Sequence, residues 1–135
     1  MQKLDFQVQS QDLDGQGIVN NVSYYSYLDK ARIKFIESIL DINYVQWAKE
    51  GKFLILSTAQ ISFKKSLVKN DHFSVVTYPL IESEIKIGIN QSIYRKDDEL
   101  ILKAKLTATC FEEIDGKRHF FVPEAFKKYE NEMLV

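Results

Sequence analysis

Apolar residues Leu4, Phe6 and Val8 alternate with polar Asp5, Gln7 and Gln9, and this period of two predicts a half-buried strand. The period then lengthens. Tyr24, Leu28, Ala31 and Phe35 recur at helical spacing, and Val22, Tyr25, Ile33, Ile36 and Leu40 form an adjoining stripe. Together they predict a helix from Val22 to about Leu40 with a broad apolar face, leaving Asp29, Lys30, Lys34 and Glu37 on the wet side. A face that broad suits a helix wrapped by a curved sheet better than one lying on a flat surface. A shorter helix, about Tyr44 to Lys49, leads into Gly51. The rest reads mainly as strands. Phe53 to Phe63 opens with the continuous run Phe53-Leu54-Ile55-Leu56 and then alternates as Ala59, Ile61, Phe63. Phe73 to Leu80 follows, then a strand with Ile85, Ile87, Ile89, Gln91 and Ile93 on one face. Leu102, Ala104, Leu106, Ala108 and Cys110 share a face of the next.

Turn chemistry separates these runs. Lys69-Asn70-Asp71, Asp97-Asp98 and Asp115-Gly116 are turn signals, and Gly88 marks either a bulge or a close backbone approach. Pro123 precedes a short helix, about Glu124 to Asn131. Between the first strand and the long helix lies a loop, Gln9 to Gly17, in which Gly15 and Gly17 permit backbone angles closed to other residues. Asn20 or Asn21 is a natural N-cap. Consecutive strands joined by tight turns favour an antiparallel sheet, so the expected class is α+β. Such a layer has edge strands that need cover, and pairing across a two-fold axis is the common solution.

Composition narrows the function. A length of 135 residues without a linker or repeat suits one domain over 1–135. A net charge of −1 gives no bulk electrostatic footprint for nucleic acid or a membrane surface. No apolar run approaches the ~20 residues that span a bilayer. The start, Met1-Gln2-Lys3-Leu4-Asp5, lacks a signal-peptide core. Cys110, the single cysteine, has no intramolecular disulfide partner. A cytoplasmic protein is the simplest expectation. His72 and His119 lie in no zinc-ligand spacing, and neither a Gly-x-Ser-x-Gly elbow nor a phosphate-binding P-loop is present.

The chemistry concentrates in Asp12-Leu13-Asp14-Gly15-Gln16-Gly17-Ile18-Val19-Asn20-Asn21 and the helix start after it. An acid in a glycine-bearing loop sits just before a helix N-terminus, which offers unpaired N–H groups and a partial positive charge. A carboxylate beside such donors could attack, or activate water against, a carbonyl that the donors polarise. Asp12, Asp14, Gly17, Val19, Tyr24, Ala31 and Arg32 fall in register with a signature of the form Asp-x-Asp-x-x-Gly-x-Val-x-x-x-x-Tyr followed by Ala-Arg. The segment resembles the acyl-CoA thioesterases of the 4-hydroxybenzoyl-CoA thioesterase family, which have the hotdog fold.

That resemblance implies a long central helix wrapped by a curved antiparallel sheet, and a homodimer or homotetramer whose active site draws on both subunits. It implies that Asp14 is the working carboxylate, as nucleophile or as general base, and that the backbone N–H at or beside Asn21 polarises the thioester. Gly17, Asn20 and Tyr24 would line the substrate, and Asp12 would have a structural role. No metal or redox cofactor is implied. Some relatives carry His at the positions of Ile18 or Asn21, and this chain does not. If coenzyme A is bound, Lys64 and Lys65, with Lys69 nearby, are candidates for its phosphates, and Arg95 and Lys96, at a hairpin end, are a second candidate; a solvated surface is the plain alternative. Arg32 is expected to pair with an acid such as Asp29 or to pack at the subunit interface, and Cys110 to be a core thiol.

The expected function is hydrolysis of an acyl-CoA to a free acid and coenzyme A. An acyl-carrier-protein thioesterase would keep the chemistry and change the partner. A non-catalytic acyl-CoA-binding hotdog protein would keep the pocket and tolerate loss of Asp14. A hotdog dehydratase is disfavoured, since its usual helix histidine is absent.

Overall fold

The computed structural model describes residues 1–133. Strand β1 (Gln2–Gln7) leads through a short 3-10 turn (Ser10–Asp12) to helix α1 (Asn21–Ser38) and helix α2 (Tyr44–Lys49). Strands β2 (Lys52–Phe63), β3 (His72–Ile81), β4 (Ile87–Arg95), β5 (Leu100–Ile114) and β6 (Lys117–Phe121) follow, and helix α3 (Glu124–Met133) closes the described chain. The strands form one antiparallel sheet in the order β1-β3-β4-β5-β2. β6 takes the edge of β5 beyond the point where β4 ends, pairing Cys110 with Phe121. The sheet curls around α1, so the fold is the α+β hotdog arrangement.

Helix and sheet meet in one core. Tyr24, Tyr27, Leu28, Ala31, Phe35 and Ile36 of α1 are buried with Phe73 and Val75 of β3, Ile89 and Ile93 of β4, and Leu102, Ala104 and Leu106 of β5. The first helical stripe is therefore the core face. The second is only partly so: Ile36 and Leu40 are buried, whereas Val22 and Tyr25, at the helix start, are exposed. Among the described residues no element reaches over the first turn to cover them.

A bulge explains the odd apolar pattern of β2. Leu54 and Leu56 oppose Cys110 and Ala108, and Ala59 and Ile61 oppose Leu106 and Ala104, all on the inner face. The three-residue step from Leu56 to Ala59 would reverse a regular strand, but the register shifts between Leu56 and Thr58. Ser57 absorbs the extra residue, and its Oγ donates to Thr107 O at 3.1 Å.

Three local expectations change. The fourth strand starts at Ile87; Ile85 lies in a turn, its N–H donating to Ser83 Oγ. Gly88 pairs regularly with Leu80 and Thr107, so there is no bulge, and a Cβ there would meet the flexible Glu82 side chain (Oε1 at 2.6 Å), so the close neighbour is a side chain and not backbone. Of the two loop glycines only Gly17 has a positive φ, +83°. The Asp115-Gly116 turn is as expected, with φ of 51° and 75° matching the sheet twist of a two-residue hairpin.

Buried Gln91 ties α1 to the sheet. Its Nε2 donates to Leu28 O (2.9 Å) and Thr77 Oγ1 (3.0 Å), and its Oε1 accepts from Arg32 Nη1 (3.1 Å). Arg32 also pairs with Asp29 at 2.8 Å. At the far end, α3 buries Phe126 and sets Tyr129 edge-on to Phe35.

Candidate active site

The loop before α1 is a tight hairpin. Leu13 bridges Val19, Asp14 N–H donates to Ile18 O at 2.8 Å, and Gly17 N–H donates to Asp14 O at 3.1 Å. The left-handed backbone at Gly17 closes the turn. Asp14 is half-buried at its base. Its Oδ1 accepts from the N–H groups of Gln16 (2.8 Å) and Ile18 (3.4 Å), and its Oδ2 accepts from Gln16 Nε2 (3.1 Å). A carboxylate has about four lone-pair sites, so these contacts orient Asp14 and leave acceptor capacity on Oδ2.

Asn20 is the N-cap. Its Oδ1 accepts from Ser23 N–H at 3.0 Å, and its Nδ2 donates to Asp12 O at 2.9 Å. The side chain of Asn20 is thus engaged in capping. Asn21 is the first helical residue and is exposed. Helix geometry gives the N–H groups of Asn21 and Val22 no intrahelical acceptor, and the dipole adds partial positive charge there. Ser23 N–H is taken by the cap, so Asn21 and Val22 supply the helix end with its free donors.

Tyr24 is buried under this corner. Its hydroxyl accepts from Leu67 N–H at 2.9 Å, and its ring lies edge-on to Phe63, 5.6 Å between centroids. Burial raises the Tyr24 pKa, so the phenol stays protonated. Val19 N–H donates to Leu67 O at 2.9 Å and Ile18 bridges Val68. These contacts bring the segment after β2 against the Asp14 loop. Lys64 and Lys65 sit at the start of that segment, exposed, with both N–H groups bonded to Ile101 O. Arg95 braces its other end, donating to Ser66 O (3.0 Å) and lying 3.7 Å from Asp71 Oδ2.

Asp14, Gly17, Asn20, Asn21 and Tyr24 therefore share one corner, with Lys64 and Lys65 on the adjoining segment. His72 is exposed, and among the described residues no three His, Cys, Asp or Glu side chains converge as metal ligands. Cys110 is fully buried, which pushes its thiol up to about 12 and keeps it from acting as a nucleophile. The roles of Ser23 and Tyr27, whose hydroxyls both reach Asp12, escaped the reading of the sequence. Their spacing of four on an otherwise apolar helix face was the available signal.

Phe63 and Leu56 are 44% and 41% exposed although they belong to the inner face of the sheet, and Val22 and Tyr25 at the start of α1 and Val68 after β2 are also exposed. β2 is the last strand of the sheet order. An apolar surface thus borders the loop at an open sheet edge.

A model of the thioesterase-like superfamily matches residues 8–128. The chain belongs to that superfamily. Two chloroplastic acyl-acyl carrier protein thioesterases of Arabidopsis thaliana, ATL3 and ATL2, are each 32% identical to it, over 76% and 94% of this chain. The chain spans only 54% and 66% of their lengths. The crystal structure of a 1,4-dihydroxy-2-naphthoyl-CoA thioesterase from Synechocystis superposes with a TM-score of 0.85, covering 98% of this chain and 97% of that one at 18% identity. At that identity the likeness shows the shared fold. The match is to the broad superfamily, of which the 4-hydroxybenzoyl-CoA thioesterases were the narrower expectation.

Proposed function

We propose that this thioesterase-like protein hydrolyses an acyl-CoA thioester to a free carboxylic acid and coenzyme A. The observation that carries the reading is the joining of the Asp14 loop to the uncapped start of α1. Sulfur donates poorly into a thioester carbonyl, and thiolate leaves readily, so cleavage needs less assistance than that of an amide. In this reading the N–H of Asn21 receives the oxyanion as it develops, where a fixed donor is worth most. Asp14 acts through the free capacity of Oδ2, either on the carbonyl carbon or on a water beside it. Tyr24 and Gly17 shape the acyl side of the corner, and Asn20 keeps the helix end in place. Lys64 and Lys65 meet the phosphates of coenzyme A.

The open β2 edge and the apolar border support a homodimer joined through β2, with the acyl pocket between subunits; pairing of dimers gives the tetramer form. The lone buried Cys110 suits a reducing cytoplasm. No helix among the described residues is long and apolar enough to cross a membrane. A second reading, acyl-carrier-protein thioester hydrolysis, uses the same residues and is the activity in the names of the two plant relatives, of which this chain spans 54% and 66%.

Thiol release from a panel of short, medium, long and aromatic acyl-CoA substrates, set beside the matching acyl-carrier-protein thioesters, tests both. Asp14→Asn is expected to lower kcat by about 10³-fold while circular dichroism is unchanged. Turnover confined to carrier-protein substrates would replace the first reading by the second. Equal turnover by wild type and Asp14→Asn would remove Asp14 from the mechanism.

A further inference from the structure

Asp12 accepts more contacts than any catalytic duty requires. Its Oδ1 accepts from Ser23 Oγ at 3.0 Å, and its Oδ2 accepts from Tyr27 Oη and from Gln9 N–H, the latter at 3.2 Å. Its carbonyl oxygen accepts from both Asn20 N–H and Asn20 Nδ2, each at 2.9 Å. One residue therefore touches the strand exit at Gln9, the cap at Asn20, and the first two turns of α1 at Ser23 and Tyr27. Asp12 lies two residues before Asp14, and Ser23 lies two residues after Asn21. The carboxylate and the donor that the proposed reaction brings together are thus registered against each other through Asp12.

The partners are rigid. The Tyr27 ring is buried edge-on to Phe6 (5.3 Å) and Phe73 (4.7 Å), so its hydroxyl projects from fixed core packing. Burial and the neighbouring carboxylate raise the Tyr27 pKa, so the phenol is a donor across any working pH. Asp12 is only half-buried, but all three of its side-chain donors are in place. The contacts leave Asp12 little freedom to turn toward a substrate, which separates it from Asp14.

We propose that Asp12, clamped by Ser23 and Tyr27, is the positioning residue of this site: it sets the register between the Asp14 loop and the Asn21 end of α1. The inference rests on the hydrolytic reading above. Loosening the register leaves the Leu13–Val19 bridge intact, so the loop persists while the reacting groups drift apart. Reactions between positioned groups are steep in distance: a misplacement of about 1 Å costs about 100-fold.

The test uses the full chain with Asp12→Ala, Asp12→Asn and Tyr27→Phe. Asp12→Ala is expected to lose about 100-fold in kcat and Tyr27→Phe about tenfold, each with KM within about threefold of wild type. Asp12→Asn keeps an oxygen for Tyr27 and Gln9, and an amide that Ser23 Oγ can accept from, so it is expected to retain kcat within about fivefold. Amide hydrogen exchange is read on the same proteins, and Asn20 and Ser23, whose N–H groups are bonded to Asp12 O and Asn20 Oδ1, are expected to exchange at least about tenfold faster in Asp12→Ala than in wild type. Asp12→Asn as inactive as Asp12→Ala would make Asp12 a reacting carboxylate and overturn the proposal. Unchanged kcat together with unchanged exchange in Asp12→Ala would overturn it as well. If the wild-type protein cleaves no thioester, the reaction reading fails by itself, and the exchange data still decide whether Asp12 sets the register.

Discussion

Replacing Gln91 by leucine tests what holds α1 against the sheet. Gln91 is fully buried on β4 and makes three hydrogen bonds, to Leu28 O, Thr77 Oγ1 and Arg32 Nη1. Leucine fills most of the volume and makes none of them. The neutral bonds contribute about 1 kcal/mol each and the one from the guanidinium about 2. Two features reduce the sum: Leu28 O keeps its intrahelical partner, and Arg32 keeps Asp29 at 2.8 Å. The added apolar burial returns about 1 kcal/mol. Thr77, also fully buried, loses its donor, and that cost remains. The net is a destabilisation of about 2–3 kcal/mol, or about 8 °C in Tm for a chain of this length. Urea unfolding at one fixed protein concentration measures it, since an oligomer's stability depends on concentration. The companion Thr77→Val, which removes the stranded hydroxyl, is expected to lower the cost of Gln91→Leu by about 1 kcal/mol in a double-mutant cycle. A change below about 0.5 kcal/mol would mean that apolar packing replaces this network without loss, and that Gln91 does not hold α1 to the sheet.

Two further outcomes follow from burial. Leu56→Glu places a carboxylate on the open inner edge of β2; sedimentation should show a monomer with native circular dichroism and at least about tenfold lower turnover, and a dimer of full activity would disprove an interface along β2. Cys110 titrates in the unfolded chain near 9.0 but only at about 12 when folded, because burial disfavours its thiolate. Its contribution to stability is complete below pH 9 and falls by at most about 1.4 kcal/mol per pH unit above it. Cys110→Ala should flatten that alkaline decline in a pH series of urea midpoints, and an equal slope in both proteins would contradict the assignment.

The strands and helices were legible because their patterns are local. Leu4, Phe6 and Val8 alternate, the Tyr24–Phe35 stripe repeats at helical spacing, and Asp115-Gly116 specifies a hairpin turn by backbone sterics alone. The candidate site was legible for a similar reason, since its loop, cap and helix start are contiguous in the chain. Asn20 against Asn21 as the cap was not decided there, because either amide could accept from the first turn. The anchoring of Asn20 to Asp12 O decides it.

Local patterns in the chain specify the set of elements, their apolar faces, and an acid placed just before a helix start. Tertiary structure alone decided which distant residues meet them. The Ser57 bulge turns the Phe53–Leu56 run and the Ala59–Phe63 alternation onto one face, a choice made by pairing with β5. Gln91 reads in sequence as a polar interruption of an apolar face, and only the packed helix supplies its partners. Ser23 and Tyr27 gain a role only when the folded loop brings Asp12 to their hydroxyls. Periodicity reports the environment of one element, whereas a hydrogen bond between elements depends on the relative placement of two, which is settled when the whole core packs.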